Sequence, residues 1–496
     1  MLGIVSATVS TRKTFMGQPR ALATLFLTEM WERFSYYGMR AILVLYLTAP
    51  LDGQTPPGQG LGFTLPVAAA IYGAYSSLIY LLPIAGGWVA DRLTGPRRAV
   101  LYGGIVIALG HFTMAVPIEV MFWLGLVAVA IGTGLLKPSI SAIVGDLYAP
   151  HDTRRDGGFS LFYMGINLGA FIAPLVVGFL ADSVSYHVAF AAAGVGMLIG
   201  LIQYVAGGKG MGEAGKAVPK PATPKEKSGA SRLLVLVIVG VAAVLVVDVV
   251  FFGFSAQVIT IALSITVIGV AVIYFLRLFR NPDLTPIDRE RVKAFAYLFI
   301  AAAVFWAIYD QSGSTLTQFA QQFSNRDIGS FVLPVAWLQS INPIFIIIFA
   351  PIFAALWTRL ADRAPSTPAK FAIALFGVGL SFLIMIPPAM AADSGQESAV
   401  WWLVGVYLVQ TWSELLLSPN GLSATTKLAP AGLLSQMLAL WFLATAVGDS
   451  VGGQLVSLVD VVGYGWYFAI LGLATVGIAV AFTFIVRKIR TLMEGV

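Results

Sequence analysis

The sequence contains no cysteine and few charged residues. Only 11% of its 496 residues are charged and 58% are hydrophobic, whereas a soluble domain has about 25% charged residues. The lack of cysteine excludes structural disulfides, thiolate zinc sites and cysteine nucleophiles. The shortage of charge and the excess of apolar residues together favour a chain embedded in a membrane.

Histidine is also scarce, with three residues in the whole chain. His111, His151 and His187 fall in or near loops or in an otherwise apolar segment, so we assign them structural or solvated roles. No metal site and no cofactor are expected.

Long apolar segments dominate the rest of the sequence. A helix needs about 20 apolar residues to cross the hydrocarbon core of a bilayer. Fourteen segments of that length are separated by glycine, proline or charge. The sequence therefore predicts an all-α polytopic membrane protein with spans at 20–48, 65–90, 98–116, 120–148, 158–181, 187–206, 232–252, 255–276, 293–323, 331–360, 370–391, 399–426, 432–458 and 465–486.

The basic residues indicate an orientation. Lysine and arginine accumulate in cytoplasmic loops, and most of the 30 here fall in every second connection and near the two ends. Arg326 lies in a loop of the other side, and Arg33, Arg40 and Lys137 lie inside spans. The net charge of +6 is therefore interpreted as a topology signal and not as nucleic-acid binding. We expect a multi-pass protein of the cell (inner) membrane with both termini cytoplasmic and the bilayer as its partner; no obligate protein partner is evident.

The spans divide into two six-helix halves. Residues 1–206 form an N-terminal bundle and residues 281–496 a C-terminal bundle, as in transporters built from two parallel repeats with a site between them. Residues 207–231 are rich in glycine, proline and lysine and are predicted to be a solvated, flexible cytoplasmic linker. Residues 232–280 are predicted to be a lipid-facing two-helix insertion.

The first span carries an unusual group of charges. Glu29, Glu32, Arg33, Tyr36 and Arg40 fall within one sector of about 100° on the helix, with apolar runs on both sides. Charged residues inside a membrane normally face a water-filled cavity or one another, and buried ion pairs stabilise packing poorly. The group therefore predicts a polar wall along a pathway for a hydrophilic solute.

Three more charges lie near the middle of other spans. Lys137 belongs to the N-terminal half, whereas Asp310 and Glu414 belong to the C-terminal half. Opposite charges on opposite halves can act as gates that close one side of a cleft at a time. The mid-membrane carboxylates exceed the cations by one, and a surplus buried carboxylate favours its protonated form, so a proton-binding site is predicted.

The cavity should bind a solute with two opposite charges. Fixed cations suit a carboxylate and fixed carboxylates suit an ammonium group, so a zwitterion with separated ends fits best. Amphipathic walls and neutral hydrogen-bonding groups could be added by Tyr36, Tyr37, Tyr72, Tyr75, Trp306, Trp441, Asn167 and Asn342.

Several motifs carry a family resemblance. The loop from Gly86 to Arg98 (GGWVADRLTGPRR) resembles the Gly-x-x-x-Asp-Arg-x-Gly-Arg-Arg loop of the major facilitator superfamily. The segment from Glu29 to Phe34 (EMWERF) resembles the Glu-x-x-Glu-Arg-Phe signature of the proton-dependent oligopeptide transporter family. The segment from Phe162 to Gly169 (FYMGINLG) is similar to its second signature. Lys137 and the segment from Ser413 to Gly421 (SELLLSPNG) also match.

This resemblance implies the major facilitator fold and a symporter that imports di- and tripeptides with protons by alternating access. It implies that Arg40 and Lys137 bind the peptide carboxylate, and that Glu414 and Asn342 bind its amino end. Arg40 with Asp310 and Lys137 with Glu414 would form gating pairs. The residues expected in proton coupling are Glu29, Glu32, Arg33, Lys137 and Asp310, and further peptide contacts are expected from Tyr37, Tyr75, Asn167, Trp306 and Trp441.

Other functions remain open at this point. A proton-coupled transporter of nitrate or another small anion could share the same fold, because a fold does not fix a substrate. His151 and Asp156 have an acyltransferase-like spacing, although no nucleophile accompanies them, and we do not expect an enzyme. A channel or a non-transporting receptor is a further alternative.

Overall fold

The apolar segments fold into long helices, because within a bilayer the backbone groups must be hydrogen-bonded inside their own segment. The computed structural model describes residues 14–52, 58–149, 152, 154–253, 255–430 and 432–493. The first half consists of α1 (Ala21–Thr48), α2 (Leu65–Val89), α3 (Pro96–Met114), α4 (Glu119–Asp146), α5 (Arg155–Ser183) and α6 (Tyr186–Gly207). The insertion consists of α7 (Pro224–Phe252) and α8 (Ala256–Phe279).

The second half has two interrupted spans. Helix α9 (Pro286–Tyr309) continues through a 3-10 turn (Asp310–Gly313) into α10 (Thr315–Phe323), and α12 (Thr367–Ile384) continues into α13 (Ile386–Asp393). The remaining helices are α11 (Ile341–Leu360), α14 (Trp401–Leu428), α15 (Leu434–Leu455) and α16 (Leu458–Leu492). A 3-10 turn (Val335–Ser340) precedes α11. Four two-residue strands lie in loops: β1 (Ser324–Asn325) pairs in parallel with β4 (Ser398–Ala399), and β2 (Asp327–Ile328) pairs antiparallel with β3 (Phe331–Val332).

The predicted spans match this helix order. Eleven helical segments of the described chain are long and apolar enough to cross a membrane. The other three predicted spans correspond to α1, which precedes the first qualifying segment, and to α3 and α14, which lie in sequence between segments that qualify. Helix α1 stands out among them, because it holds four charged residues.

The two halves meet away from the basic residues. We call the end of the bundle at which α1 begins the basic end, and the end at which α1 stops the opposite end. Helices α2 and α15 cross closely in the middle and toward the opposite end, where the Ser77 hydroxyl donates to the Ala446 carbonyl at 2.8 Å. At the opposite end, the Ser340 hydroxyl donates to the Phe171 carbonyl at 2.8 Å. These contacts between the halves close the opposite end of the bundle.

The boundary between linker and insertion differs from the prediction. The predicted linker, 207–231, contains a short 3-10 helix (Gly208–Met211) and the first residues of α7, which begins at Pro224. Thr223 and Glu226 form a reciprocal capping box at that point, and such a box satisfies backbone N–H groups that a helix start leaves unpaired. The insertion therefore begins inside the segment predicted as linker.

The linker also makes hydrogen bonds to the first half, although most of its residues are exposed. The guanidinium of Arg97 donates to the carbonyls of Gly212 at 2.9 Å and Gly208 at 2.6 Å. The backbone N–H of Lys220 donates to the carbonyl of Asp91 at 3.0 Å. The basic segment between α2 and α3 thus binds linker carbonyls that a loop in water would leave solvated. The glycine and proline content of the linker did not predict these hydrogen bonds.

The insertion is lipid-facing only in part. Residues of α7 are largely exposed apart from Asp248, whose carboxylate accepts the Ser255 N–H at 3.0 Å and so caps the start of α8. Helix α8 packs against α15, where the Ser450 hydroxyl donates to the Ser264 hydroxyl at 2.7 Å. Helix α7 is thus exposed along its length, whereas one face of α8 is packed against the bundle.

The motif at 86–98 spans the end of α2, one turn and the start of α3, and its first glycine lies against α4. A Cβ atom at Gly86 would overlap the backbone carbonyl of Gly134, so glycine permits the close approach of the two helices. The segment Ala90–Thr94 forms one π-helical turn, and Gly95 follows with φ of +78°, a conformation that favours glycine.

Candidate functional site

The charges of α1 form one buried cluster. The Arg33 Nε atom lies 2.8 Å from Glu29 Oε1 and 2.8 Å from Glu32 Oε2. All three side chains are buried, and they share a face because residues three and four apart on a helix are neighbours. The structure therefore brings together the charges that the sequence placed on one wall.

This cluster lacks part of its hydrogen bonding. Glu29 Oε2, Glu32 Oε1 and one terminal nitrogen of Arg33 have no hydrogen-bond partner in the described part of the chain, and Glu32 Oε2 has only its ion-pair contact with Arg33. Lys137 on α4 lies within electrostatic range of Glu32. Buried polar atoms are normally satisfied, so the unpaired atoms indicate a place that a proton, water or solute occupies during function.

A second cluster joins the two halves. Arg40 Nη2 on α1 lies 2.5 Å from Asp310 Oδ1, which belongs to the turn after α9. Arg40 Nε donates to the Tyr72 hydroxyl on α2 at 2.5 Å. The predicted pair of Arg40 and Asp310 is therefore formed, and it lies on the closed side of the bundle.

The other predicted pair is not formed in this conformation. The Lys137 ammonium lies 4.1 Å from the centre of the Tyr80 ring. The Glu414 carboxylate instead accepts hydrogen bonds from the Tyr309 hydroxyl at 2.5 Å and from the Asn342 amide at 3.1 Å. These contacts satisfy Lys137 and Glu414 separately, and both side chains remain partly exposed in the interior.

Asn342, Tyr37 and Tyr75 lie beside these clusters. The Asn342 amide donates to the Glu414 carboxylate at 3.1 Å, so the two residues predicted to bind the amino end of a peptide lie together. Tyr37 lies with its ring 6.0 Å from the Arg40 guanidinium. The Tyr75 hydroxyl is buried and has no hydrogen-bond partner among the described residues, so a solute could use it.

The other predicted contact residues serve packing in this conformation. Trp441 is buried and its ring packs against Gly421, where a Cβ atom would overlap the tryptophan ring. The Asn167 amide donates to the Tyr163 carbonyl of its own helix at 3.0 Å. Trp306 packs against the Tyr309 ring at 5.1 Å and also lines a small cavity beside Asp310.

One charged residue of the interior escaped the sequence analysis. Asp449 on α15 is buried, and neither of its carboxylate oxygens has a hydrogen-bond partner in the described residues. It lines the same small cavity as Trp306 and Asp310. The signal was present, because Asp449 is a lone carboxylate within the apolar span predicted at 432–458, and it raises the carboxylate surplus from one to two.

Of the two residues of the enzyme alternative, the structure describes only Asp156. His151 lies outside the described residues, and Asp156 is exposed in the first turn of α5. Nearby, side-chain hydrogen bonds from Arg154 lower the pKa of Asp152 to about 2, so that carboxylate is ionised at neutral pH. No group of three or more histidine, aspartate or glutamate side chains with metal-binding geometry occurs in the part of the chain that the structure describes.

The helical bundle and its charged interior define a membrane transport protein with the major facilitator fold. The chain belongs to the POT family (PTR2), whose sequence profile matches residues 97–469. Members of this family are peptide transporters and not enzymes, so the acyltransferase interpretation is wrong.

Named relatives agree with the family assignment. The chain is 41% identical to the di-/tripeptide transporter of Lactococcus lactis subsp. cremoris, over 98% of this chain and 99% of that protein. A crystal structure of the peptide transporter POT in complex with sulfate superposes with a TM-score of 0.92 at 43% identity, covering 97% of each chain. A POT family transporter in complex with 5-aminolevulinic acid has a TM-score of 0.91 at 35% identity, covering 96% of this chain and 98% of that one.

Proposed function

We propose that this protein is a proton-coupled symporter that imports di- and tripeptides by alternating access. The observation that supports this most directly is the charge arrangement of the interior. Lys137 of the first half and Glu414 of the second half are both partly exposed and are not paired with each other. A zwitterion can bind an ammonium and a carboxylate that are held apart in this way.

The two ends of a peptide have distinct partners in this conformation. Arg40 is occupied by Asp310, so Lys137 is the cation that remains for the peptide carboxylate, and Arg40 joins it once the gate opens. Glu414, oriented by Asn342 and Tyr309, binds the amino end. The complex of one solved relative with 5-aminolevulinic acid, a molecule with an amino group and a carboxylate at opposite ends, supports this arrangement.

Proton coupling is assigned to the cluster on α1. Glu32 is fully buried, contacts Arg33 and lies within electrostatic range of Lys137. Protonation of Glu32 would remove one negative charge from beside Lys137 and free that ammonium to bind a peptide carboxylate. Glu29 holds Arg33 from the other side, so in this proposal Glu32 carries the proton and Glu29 positions Arg33.

Each of the two gates closes a different end of the bundle. The pair of Arg40 and Asp310 closes the opposite end in this structure, and a pair of Lys137 with Glu414 would form when the basic end closes. Because basic residues accumulate in cytoplasmic loops, the basic end faces the cytoplasm of a cell (inner) membrane, with both chain termini on that side. The structure then corresponds to the inward-facing state of the cycle.

Uptake by purified protein in liposomes tests the proposal. An imposed gradient, acidic outside, should drive accumulation of a labelled dipeptide, and a protonophore should abolish the accumulation. Counterflow with nitrate in place of peptide is the matched control for the small-anion alternative. Absence of proton-driven dipeptide accumulation, or exchange of nitrate but not of peptides, would contradict the proposal.

A further inference from the structure

Asp449 lies at the crossing of α2 and α15, where the two halves touch most closely. A Cβ atom at Gly73 on α2 would overlap the backbone carbonyl of Asp449, and one at Gly453 would lie 2.7 Å from the carbonyl of Ala69. Helix backbones that approach this closely exclude water from between them. The Asp449 side chain is buried at this crossing and lines the small cavity beside Asp310.

The neighbours of Asp449 come from four helical elements. The turn after α9 contributes Asp310, α1 contributes Arg40 and Tyr36, α2 contributes Tyr72 and Tyr80, and α4 contributes Lys137 at longer range. Arg40 already donates to Asp310 and to Tyr72. Lys137 lies over the Tyr80 ring. None of these cations donates a hydrogen bond to Asp449 in the described residues.

The Asp310 carboxyl lines the same small cavity as Asp449, so the two carboxyls share one enclosed site. Two ionised carboxylates have acceptors only, so no hydrogen bond can form between them. A single proton supplies the missing donor, and close carboxyl pairs share one proton because like charges at such a distance cannot both ionise. With that proton, Arg40, Asp310 and Asp449 together carry no net charge inside the closed contact.

We propose that Asp449 is a second proton-binding site, which shares its proton with Asp310 and holds the opposite end of the bundle closed. This inference rests on the proposed alternating-access function and adds a gating proton to the coupling proton at Glu32. When α2 and α15 separate, water reaches both carboxyls and the proton exchanges with the solution outside. The proton is taken up on closing and returned on opening on the same side, so it is not transported.

The proposal separates gating from coupling. One linked proton changes the equilibrium between open and closed opposite ends by up to about tenfold per pH unit. Wild-type protein should therefore open more at high outside pH. Asp449→Asn supplies a permanent amide donor to Asp310 without a proton, so its closure should no longer depend on outside pH, while proton-driven accumulation through Glu32 persists.

The first experiment measures dipeptide counterflow in liposomes at a series of outside pH values, without a proton gradient as driving force. The pH dependence of the wild-type rate should be weaker in Asp449→Asn, in which only the Glu32 proton remains, and unchanged in Ser450→Ala, a control in which the altered side chain faces Ser264 on α8. A wild-type pH profile in Asp449→Asn would overturn the proposal. So would loss of counterflow in correctly folded Asp449→Asn protein.

A second experiment does not depend on the substrate. Because the sequence has no cysteine, Gln318→Cys introduces a single thiol at the closed end, where Gln318 is buried beside Thr48. Labelling by an impermeant maleimide should speed up several-fold as outside pH rises, and Asp449→Asn should hold the rate at its low-pH value. The labelling rates are corrected with a small-thiol standard for the effect of pH on the thiol itself. An equal rise of labelling with pH in Gln318→Cys with and without Asp449→Asn would overturn the proposal, and this result would not depend on dipeptides being the substrate.

Discussion

The two charge clusters of the interior differ in which parts of the chain build them. Glu29, Glu32 and Arg33 lie on one helix, and their nearest additional cation, Lys137, comes from the same half. The pair of Arg40 and Asp310 instead joins the two halves.

A cluster within one half keeps its geometry when the halves rotate, so it can store a proton throughout the cycle. A cluster between halves must break when they separate, so it can report and control which end is open. The difference assigns coupling to the first cluster and gating to the second, and each variant below tests one side of that division.

Loss of Lys137 should have the largest effect. Lys137→Ala removes the cation shared by the coupling cluster and the peptide carboxylate, so proton-driven dipeptide uptake should fall to background. The matched control is Lys370→Ala, because Lys370 is another lysine over an aromatic ring, 4.2 Å from Trp357, and its ammonium donates to the Asn420 side chain. Unimpaired accumulation in Lys137→Ala would contradict the coupling assignment.

Neutralising Glu32 should separate coupling from binding. Glu32→Gln mimics a permanently protonated side chain, so the proton gradient should no longer drive accumulation. Accumulation of dipeptide should fall by about tenfold or more, and a tenfold change corresponds to about 1.4 kcal/mol of driving force. Counterflow, which needs no gradient, should persist. Glu29→Gln serves as the comparison and should leave more of the accumulation intact; if the two variants were equally defective, Glu32 would lose its special role.

Breaking the pair between the halves should affect closure and not coupling. Asp310→Asn removes the charge that Arg40 contacts at 2.5 Å, and a partly buried ion pair of this kind is worth on the order of 2–5 kcal/mol when one partner is truncated. Maleimide labelling of Gln318→Cys should rise strongly in this background. If labelling stayed at the parent rate, the pair would not hold the opposite end closed.

The smallest effect is expected where the helices α2 and α15 share a hydrogen bond. Ser77→Ala removes the 2.8 Å bond from Ser77 to the Ala446 carbonyl, and one such bond contributes about 1 kcal/mol. The labelling rate of Gln318→Cys should increase by roughly fivefold, with little change in accumulation. Ser139→Ala, which removes a bond within α4 alone, should leave labelling unchanged.

The sequence predicted the helix order and most of the interior charges, because long apolar runs and buried charges leave strong local signals. It placed Glu29, Glu32 and Arg33 on one face through helical periodicity alone. The pairing of Arg40 with Asp310 came from the family resemblance, since no local pattern reports a contact between residues 270 positions apart.

Some features depended on tertiary packing. Asp449 was overlooked although it is the only carboxylate in an apolar span. Its proposed role in proton binding depends on its position beside Asp310, which the sequence does not show. The linker was predicted to be solvated because its composition is polar, but hydrogen bonds from Arg97 bind it to the bundle. The inner face of α8 looked lipid-facing because serine-to-serine contacts with α15 cannot be predicted from apolar content.

The most direct test of the account measures proton entry that a peptide gradient drives. Liposomes with a pH-sensitive dye inside, purified protein in the membrane and no initial pH difference receive dipeptide outside, with the membrane potential clamped. The account predicts that the lumen acidifies with wild-type protein and with Asp449→Asn, and does not acidify with Glu32→Gln. Dipeptide entry without any change in lumenal pH in the wild-type protein would contradict it.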